Sequence, residues 1–256
     1  GSKNLIGRHL RLGSVESQPF MFFATEGCEG NDCWSGMVND MVVKLSEDLG
    51  FTYEYIQPDD RKFGALNKTT NEWNGMIRDL LDDKTDMIAI DLSTNSARKS
   101  AIDYSFPFMD AGIKAVVKGE GTTLNQVLEL LDQDKYKWGV IGSRHPETLL
   151  KTHRDSRYSR LVDEGVELKD LNHAIETLRG GLFVFIDEGP VLAHNLISDC
   201  DVFSVGEEFQ SFEYAFGLPK DSPYKSLIDS HLLKFREEGF IDILWEKWSS
   251  GNSVCS

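Results

Sequence analysis

The chain has 256 residues, 40% apolar and 27% charged, an ordinary globular composition with room for one large domain or two modest ones. Its net charge of −15 argues against nucleic-acid binding, because a phosphate-binding surface needs clustered lysine and arginine side chains. No apolar run approaches the roughly 20 residues that span a bilayer, so we do not expect this stretch to be embedded in a membrane. The opening Gly1-Ser2 resembles a cloning scar.

The first part of the chain alternates between predicted strands and helices. The hydrophobic periodicity predicts strands at residues 9–15, 51–56 and 86–90, and helices at 36–49 and 73–81. This order predicts a largely parallel sheet with helices on its faces, in which ligands gather at the carboxyl ends of the strands.

The stretch that follows the last of these strands, residues 90–98, combines hydroxyl side chains with one guanidinium, Arg98, near a predicted helix start. Arginine presents a rigid fork of donors that matches a carboxylate, and helix starts favour anions. The stretch is therefore a candidate site for a small carboxylic acid. The alternative is that Arg98 forms an ordinary surface salt bridge.

A second alternating series fills the rest of the chain. It comprises strands at 113–117, 138–141, 182–186 and 214–218, helices at 124–131 and 171–178, a helix that has Pro146 at its first position, a strand-to-helix turn at 187–190, and two C-terminal helices within 227–235 and 241–248. Two series joined by two crossings predict two lobes with a cleft between them.

Cysteine content and a sequon indicate an oxidising environment. Four cysteines allow three pairings; Cys28 and Cys33 lie in one turn-rich loop, whereas Cys200 and Cys255 are far apart. A glycosylation sequon begins at Asn67. Together these features favour a secretory environment. We find no nucleophile elbow, phosphate loop or zinc spacing, so the sequence predicts no enzyme, no metal and no cofactor.

Seven motifs spread along the chain resemble one known family. They are Lys62-Phe63-Gly64-Ala65, Trp73-Asn74-Gly75-Met76, the Leu-Ser-Thr run ending at Arg98, Ile102-Asp103-Tyr104-Ser105-Phe106-Pro107-Phe108-Met109, Trp138-Gly139-Val140-Ile141, Pro219-Lys220-Asp221-Ser222-Pro223 and the closing Gly239-Phe240 with Trp245, Trp248 and Cys255. In this order they resemble the ligand-binding domain of ionotropic glutamate receptors, and the resemblance covers nearly the whole chain.

The resemblance implies an α/β fold, a bilobed periplasmic-binding-protein-like clamshell of type II with two α/β lobes joined by two crossings. Lobe 1 would comprise residues 4–115 and 209–256, and lobe 2 residues 116–208. Family members carry pore-forming segments between the two halves, so residues 118–123 are interpreted as including an artificial linker that replaces them. The resemblance also implies a Cys200–Cys255 disulfide, and we predict a second between Cys28 and Cys33.

The implied function is the extracellular ligand-binding domain of a ligand-gated cation channel in the cell membrane. It would bind a small α-amino acid in the interlobe cleft and close to drive gating. The full receptor would be a tetramer with lobe 1 dimer pairs. A periplasmic amino-acid-binding protein of a transporter is the alternative, because it shares the bilobed fold.

On the lobe 1 side, the resemblance assigns Arg98 to the α-carboxylate of the ligand. Ser93 stands where the family commonly has threonine and would offer a hydroxyl and an N–H to the same carboxylate, or its hydroxyl to the amino group. Asp91 stands where many members have proline, and its carbonyl would accept from the α-ammonium. Phe63 replaces the usual tyrosine that covers the ligand.

On the lobe 2 side, Glu188 fits the acidic position that pairs with the α-ammonium, or Asp187 if the turn is shifted by one residue. Ser143 and Arg144 would meet the ligand from the predicted turn before the helix of Pro146. An α-amino acid zwitterion needs an arginine and an acid on opposite sides. For Glu188 the alternative is a helix-start acid favoured by the dipole.

The same turn predicts glycine as the ligand, with D-serine or alanine as weaker fits. Pro146 lacks the N–H that a distal carboxylate would use, and the large side chains of Arg144 and His145 fill volume. L-glutamate, with Arg144 on its γ-carboxylate, is the alternative. From lobe 1, Glu16 is predicted to form an interlobe salt bridge with Arg144; the competing interpretation is two solvated rim charges.

Overall fold

A computed structural model describes residues 4–119, 122–249 and 255. The predicted scar, Gly1-Ser2, and part of the predicted linker, at 120–121, lie outside the described residues. Within them the strands are β1 (His9–Gly13), β2 (Phe22–Phe23), β3 (Trp34–Ser35), β4 (Thr52–Ile56), β5 (Leu66–Asn67), β6 (Glu72–Trp73), β7 (Met87–Ser93), β8 (Asp103–Tyr104), β9 (Met109–Lys118), β10 (Lys137–Ile141), β11 (Val166–Leu168), β12 (Phe183–Glu188), β13 (Val202–Ser204) and β14 (Phe209–Leu218).

The α-helices of the same residues are α1 (Met37–Leu49), α2 (Gly75–Leu81), α3 (Ser96–Ala101), α4 (His145–Lys151), α5 (Ser156–Glu164), α6 (Leu171–Arg179), α7 (Gly189–Asn195), α8 (Lys225–Glu237) and α9 (Phe240–Ser249). Two short 3₁₀ helices cover Gly30–Cys33 and Val127–Asp132. No helix within the described part of the chain is long and apolar enough to cross a membrane.

The chain divides into two compact units. Unit 1 comprises residues 1–110 and 212–250, and unit 2 comprises residues 111–211 and 251–256. Each unit combines strands with helices, so the α/β fold class predicted from the sequence is confirmed.

In unit 1, the strands pair in the order β14-β7-β1-β4. β1 is parallel to both β4 and β7, and β14 is antiparallel to β7. Every residue of β7 is buried, which explains its nearly continuous apolar sequence. Helix α1 contributes a row of buried side chains at helical spacing and ends at Gly50, whose left-handed backbone (φ 76°) suits a glycine.

In unit 2, the strands pair in the order β11-β10-β12-β9, with β13 pairing to β9. β10 is parallel to β11 and β12, and β12 is antiparallel to β9. Alternate residues of β12, Phe183 and Phe185, join the core with apolar side chains of α6 and α7. The indole of Trp138 fixes β10 to α5 by donating from Nε1 to the carbonyl of Leu161 at 2.7 Å.

Four local predictions were wrong. The predicted turn at 187–190 is absent, because β12 continues through Glu188 and α7 begins at Gly189. Residues 124–131 do not form an α-helix; because Gln126 is extended, the remaining short segment forms the 3₁₀ helix Val127–Asp132. Helix α2 begins at Gly75 rather than at Trp73, because Trp73 pairs with Leu66 in a hairpin. Pro146 occupies the second position of α4, after His145.

Two disulfides close loops of very different length. One joins Cys28 to Cys33, five residues apart, with their Cα atoms 5.1 Å from each other. The other joins Cys200 to Cys255, 55 residues apart, with a Cα separation of 5.2 Å. The sequon residue Asn67 lies at the exposed turn between β5 and β6, where its Oδ1 accepts from the N–H groups of the two threonines that follow Lys68.

Candidate functional site

Arg98 lies in the first turns of α3 and is almost fully buried in unit 1. The N-cap residue Asn95 fixes this helix start, since its side chain accepts from the N–H of Arg98 at 2.8 Å. Nη1 of Arg98 then reaches back to the end of β7, where it donates to the carbonyl of Ser93 at 2.9 Å and to the Ser93 hydroxyl at 3.1 Å. The guanidinium is therefore held in one orientation.

The loop that carries Phe63 is held by the first turn of α2. Met76 and Ile77 donate their backbone N–H groups to the carbonyls of Lys62 and Phe63, at 3.0 and 3.2 Å. Gly75 permits this contact because its φ is 64° and a Cβ there would lie 2.4 Å from the Lys62 carbonyl oxygen. The Trp-Asn-Gly-Met motif thus positions the loop.

The same loop meets Arg98. Nε and Nη2 of Arg98 both donate to the carbonyl of Gly64, each at 3.1 Å. Phe63, half-buried, immediately precedes this glycine. The structure therefore brings Arg98, Ser93 and the backbone of the loop that carries Phe63 together, around a cationic group with defined hydrogen-bond acceptors.

Asp91 and Glu16 lie at two other places in unit 1. Asp91 is buried on β7, two residues before Ser93 and thus on the same face of the strand. Glu16 is exposed after β1, and its Oε2 accepts from the backbone N–H of Phe23 at 3.1 Å.

In unit 2, Asp187 and Glu188 are the last two residues of β12, and both are buried. Nη2 of Arg144 lies 3.3 Å from Oδ2 of Asp187. Burial raises the pKa of Asp187 well above its usual range; the positive charge of Arg144 lowers it again, and the charge of Glu188 raises it further. The charge of Arg144 favours the ionised form of Asp187, and a backbone hydrogen bond from Glu188 contributes in the same direction.

The turn before α4 has an unusual backbone. Ser143 adopts a φ of 62°, and its N–H donates to Oε1 of Glu147 at 3.4 Å. Arg144 is the N-cap residue of α4, with an extended backbone. Glu188 is the N-cap residue of α7, so its carboxylate lies near a helix start that favours negative charge.

Two structural partners of Arg98 were not singled out from the sequence as site residues. Tyr104 donates its hydroxyl to the Ser93 carbonyl at 2.9 Å, and Gly64 accepts from the guanidinium. Both lie inside motifs that carried the family resemblance, so the motifs were the available signal. Among the described residues, no group of three or more His, Cys, Asp or Glu side chains could hold a metal ion.

The fold is shared with solved ligand-binding domains from two other sources. One is an arginine-to-lysine mutant of an ionotropic glutamate receptor ligand-binding domain of Mnemiopsis leidyi, solved in a glycine complex. It is 99% identical to this chain, with a TM-score of 0.90, and the match covers 96% of this chain and 100% of that one. Another, the glycine complex of the ionotropic glutamate receptor 3 domain of Pleurobrachia bachei, is 46% identical, with a TM-score of 0.88, covering 97% and 99%.

Sequence comparisons agree with this class of ligand-binding domain. Residues 8–120 match the family model described as "Ligated ion channel L-glutamate- and glycine-binding site". The kainate 1 ionotropic glutamate receptor of Mus musculus is 31% identical over 131 residues, which are 50% of this chain and 16% of that receptor. The matched part of this chain therefore spans about a sixth of the curated relative's length. The chain belongs to the ionotropic glutamate receptor family and corresponds to its ligand-binding domain.

Proposed function

We propose that this domain binds glycine as its ligand. The observation that carries the proposal is the 99% identity, across 96% of the chain, to a domain solved in complex with glycine. A relative at 46% identity was also solved with glycine. The large side chains of Arg144 and His145 at the start of α4, and Pro146 without an N–H, are consistent with a small ligand.

In the proposed binding mode, unit 1 holds the carboxylate of glycine, and both units contact its ammonium group. Arg98 donates to the carboxylate, Ser93 adds its hydroxyl, and the Asp91 carbonyl accepts from the ammonium. Phe63 covers the ligand. The motivating observation is the fixed position of the Arg98 guanidinium, which is held by Ser93 and the Gly64 carbonyl and needs little reorganisation on binding.

From unit 2, Glu188 pairs with the ammonium, Ser143 adds a polar contact, and Arg144 forms a salt bridge with Glu16 that retains the ligand. Removing one partner of a shielded charge pair chiefly accelerates dissociation. Glu16→Gln is therefore expected to speed glycine release by about tenfold, measured by stopped-flow fluorescence. Glu26→Gln, a neighbouring change with the same loss of charge, serves as the control. Equal off-rates in wild type and Glu16→Gln would refute the salt bridge.

The ligand is tested by titrating the purified chain in a calorimeter with glycine, D-serine, alanine and L-glutamate. Glycine is expected to bind most tightly, with D-serine and alanine weaker. Tight L-glutamate binding without glycine binding would overturn the proposal.

At the level of the whole receptor, we propose that the domain lies outside the cell membrane and gates a cation pore in a tetramer with paired unit 1 surfaces. Ligand-driven closure can bias gating only through differential affinity for the open and closed states. We also propose that the domain has no catalytic role. Glycine recovered unchanged after prolonged incubation with the protein is the expected result, and any turnover product would contradict it.

A further inference from the structure

We infer that Asp187 is a positioning residue that holds Arg144 in place, and not a partner of the ligand ammonium group. Part of this inference, the effect on glycine, rests on the proposed function; the pairing of the two side chains does not. It also separates the roles of two adjacent acids, Asp187 and Glu188, that the sequence left interchangeable.

The strand geometry sends the two acids in different directions. Successive residues of a β-strand point to opposite faces of the sheet. Asp187 shares its face with Phe183 and Phe185, which belong to the hydrophobic core between β12, α6 and α7. Asp187 is thus the last member of a core-facing row, whereas Glu188 occupies the other face. A single ligand ammonium group cannot approach both carboxylates equally.

Burial makes a partner for Asp187 necessary. Its side chain is 0% exposed, and an isolated buried carboxylate is strongly destabilising because it has lost its hydration. Arg144 meets that need with Nη2 at 3.3 Å from Oδ2, although its own side chain remains 32% exposed. The pair therefore joins a fully buried anion to a cation at the protein surface.

The topology keeps the two residues adjacent. β10 and β12 are parallel neighbours, with Gly139 opposite Phe185, so their carboxyl ends lie side by side. Arg144 follows the end of β10 after the Ser143 turn, and Asp187 lies near the end of β12. Two other charged groups adjoin this carboxylate: Glu188 next in the chain, and Lys114 opposite it on β9. Arg144 is the cation whose distance to Asp187 corresponds to an ion pair.

The functional consequence concerns the direction of the Arg144 side chain. An unrestrained arginine samples many rotamers, and fixing it in one of them costs side-chain entropy. Because the ion pair with Asp187 restrains the Arg144 side chain, much of that cost is met in the folded protein before any ligand arrives. The remaining surface of the guanidinium is then presented at the start of α4 in a set orientation.

A double-mutant cycle tests the pairing without ligand. Arg144→Ser leaves Asp187 buried alone and is expected to lower the thermal midpoint by on the order of 10 °C. Adding Asp187→Asn removes the stranded charge and should recover much of that loss, although the same substitution lowers the midpoint in the wild-type background. Arg144→Lys, which keeps the charge but loses the fork, should lie between wild type and Arg144→Ser.

The matched control is the exposed pair of Arg160 and Glu164 on α5, in the same unit. Arg160→Ser and Glu164→Gln should shift the midpoint additively, because exposed pairs couple weakly. If Arg144→Ser alone fails to fold, a folded double mutant supports the inference. A double mutant no more stable than Arg144→Ser overturns it.

The ligand-dependent test compares glycine dissociation rates. Asp187→Asn should speed glycine release by about as much as Arg144→Ser, roughly tenfold, with little further change in the double mutant. Additive effects of the two substitutions would mean that Asp187 contacts the ligand independently, and would refute the positioning role. If wild type binds no glycine, the proposed function fails while the stability cycle still decides the pairing.

Discussion

Replacing Arg98 with lysine isolates the value of the guanidinium fork, because the positive charge is kept. The Arg98 guanidinium makes at least four hydrogen bonds within the described part of unit 1: two to the Gly64 carbonyl and one each to the carbonyl and hydroxyl of Ser93. Lysine is a point charge on a flexible stem and cannot reproduce this pattern. Leaving the buried Gly64 carbonyl without its donors costs about 1–3 kcal/mol of unfolding free energy.

Arg98→Lys is also expected to weaken glycine binding. Bonds from a charged donor contribute about 1.5–3 kcal/mol each, so loss of one well-aligned bond to the glycine carboxylate raises Kd about 10- to 100-fold. Calorimetric titration measures Kd, and thermal unfolding measures stability on the same samples. Lys99→Ala is the control, because it removes an exposed cation one residue further along α3.

One result would contradict the assignment of Arg98 to the glycine carboxylate. If Arg98→Lys binds glycine within twofold of wild type while remaining folded, then the guanidinium is not the carboxylate partner. A large loss of binding in Lys99→Ala would equally show that the electrostatic field of α3, and not the geometry of Arg98, attracts the ligand.

Three further outcomes follow from the structure. Burial alone would raise the pKa of Asp86, but hydrogen bonds from Arg11 and its charge outweigh burial and lower the pKa. The stability that this pair contributes is therefore present above about pH 4 and is lost as the pH falls further. Asp86→Asn should make unfolding free energy less dependent on pH in this acid range, and an unchanged dependence would count against the pair. Tyr104→Phe removes a 2.9 Å hydrogen bond to the last carbonyl of β7 and should cost about 1 kcal/mol by denaturant unfolding, whereas an unchanged midpoint would show that the bond contributes nothing. Cys200→Ser opens a 55-residue loop, and by loop entropy it should lower the free energy of unfolding by about 4 kcal/mol. Cys28→Ser opens a 5-residue loop and should lower it by about 2 kcal/mol. The reverse order in denaturant unfolding would contradict this account.

The sequence predicted those elements whose periodicity is strong. Helix α1 carries apolar residues on one face and a glycine stop, and β7 is a continuous buried run, so both follow from local pattern. By contrast, α5 is short and rich in charged residues and buries a single residue, Leu161; it was not predicted.

Contacts between residues that lie far apart in the sequence were harder to predict than single helices and strands. The sequence indicated Arg98 because its helix start and hydroxyl neighbours are local. It placed Asp187 in a turn, whereas β12 continues through Glu188 and directs Asp187 toward the core. Its contact with Arg144 links residues 43 positions apart, and such a contact depends on strand order, which one sequence does not encode locally.

The hydrogen bond that anchors the indole of Trp138 gives the domain a built-in optical probe. Of the five tryptophans, Trp138 alone belongs to unit 2, and the other four lie in the segments of unit 1. Replacing those four with phenylalanine would leave an emission signal that reports solely on β10 and its neighbour α5. Thermal unfolding of unit 2 could then be followed separately from that of unit 1, in an ordinary fluorimeter and without a dye.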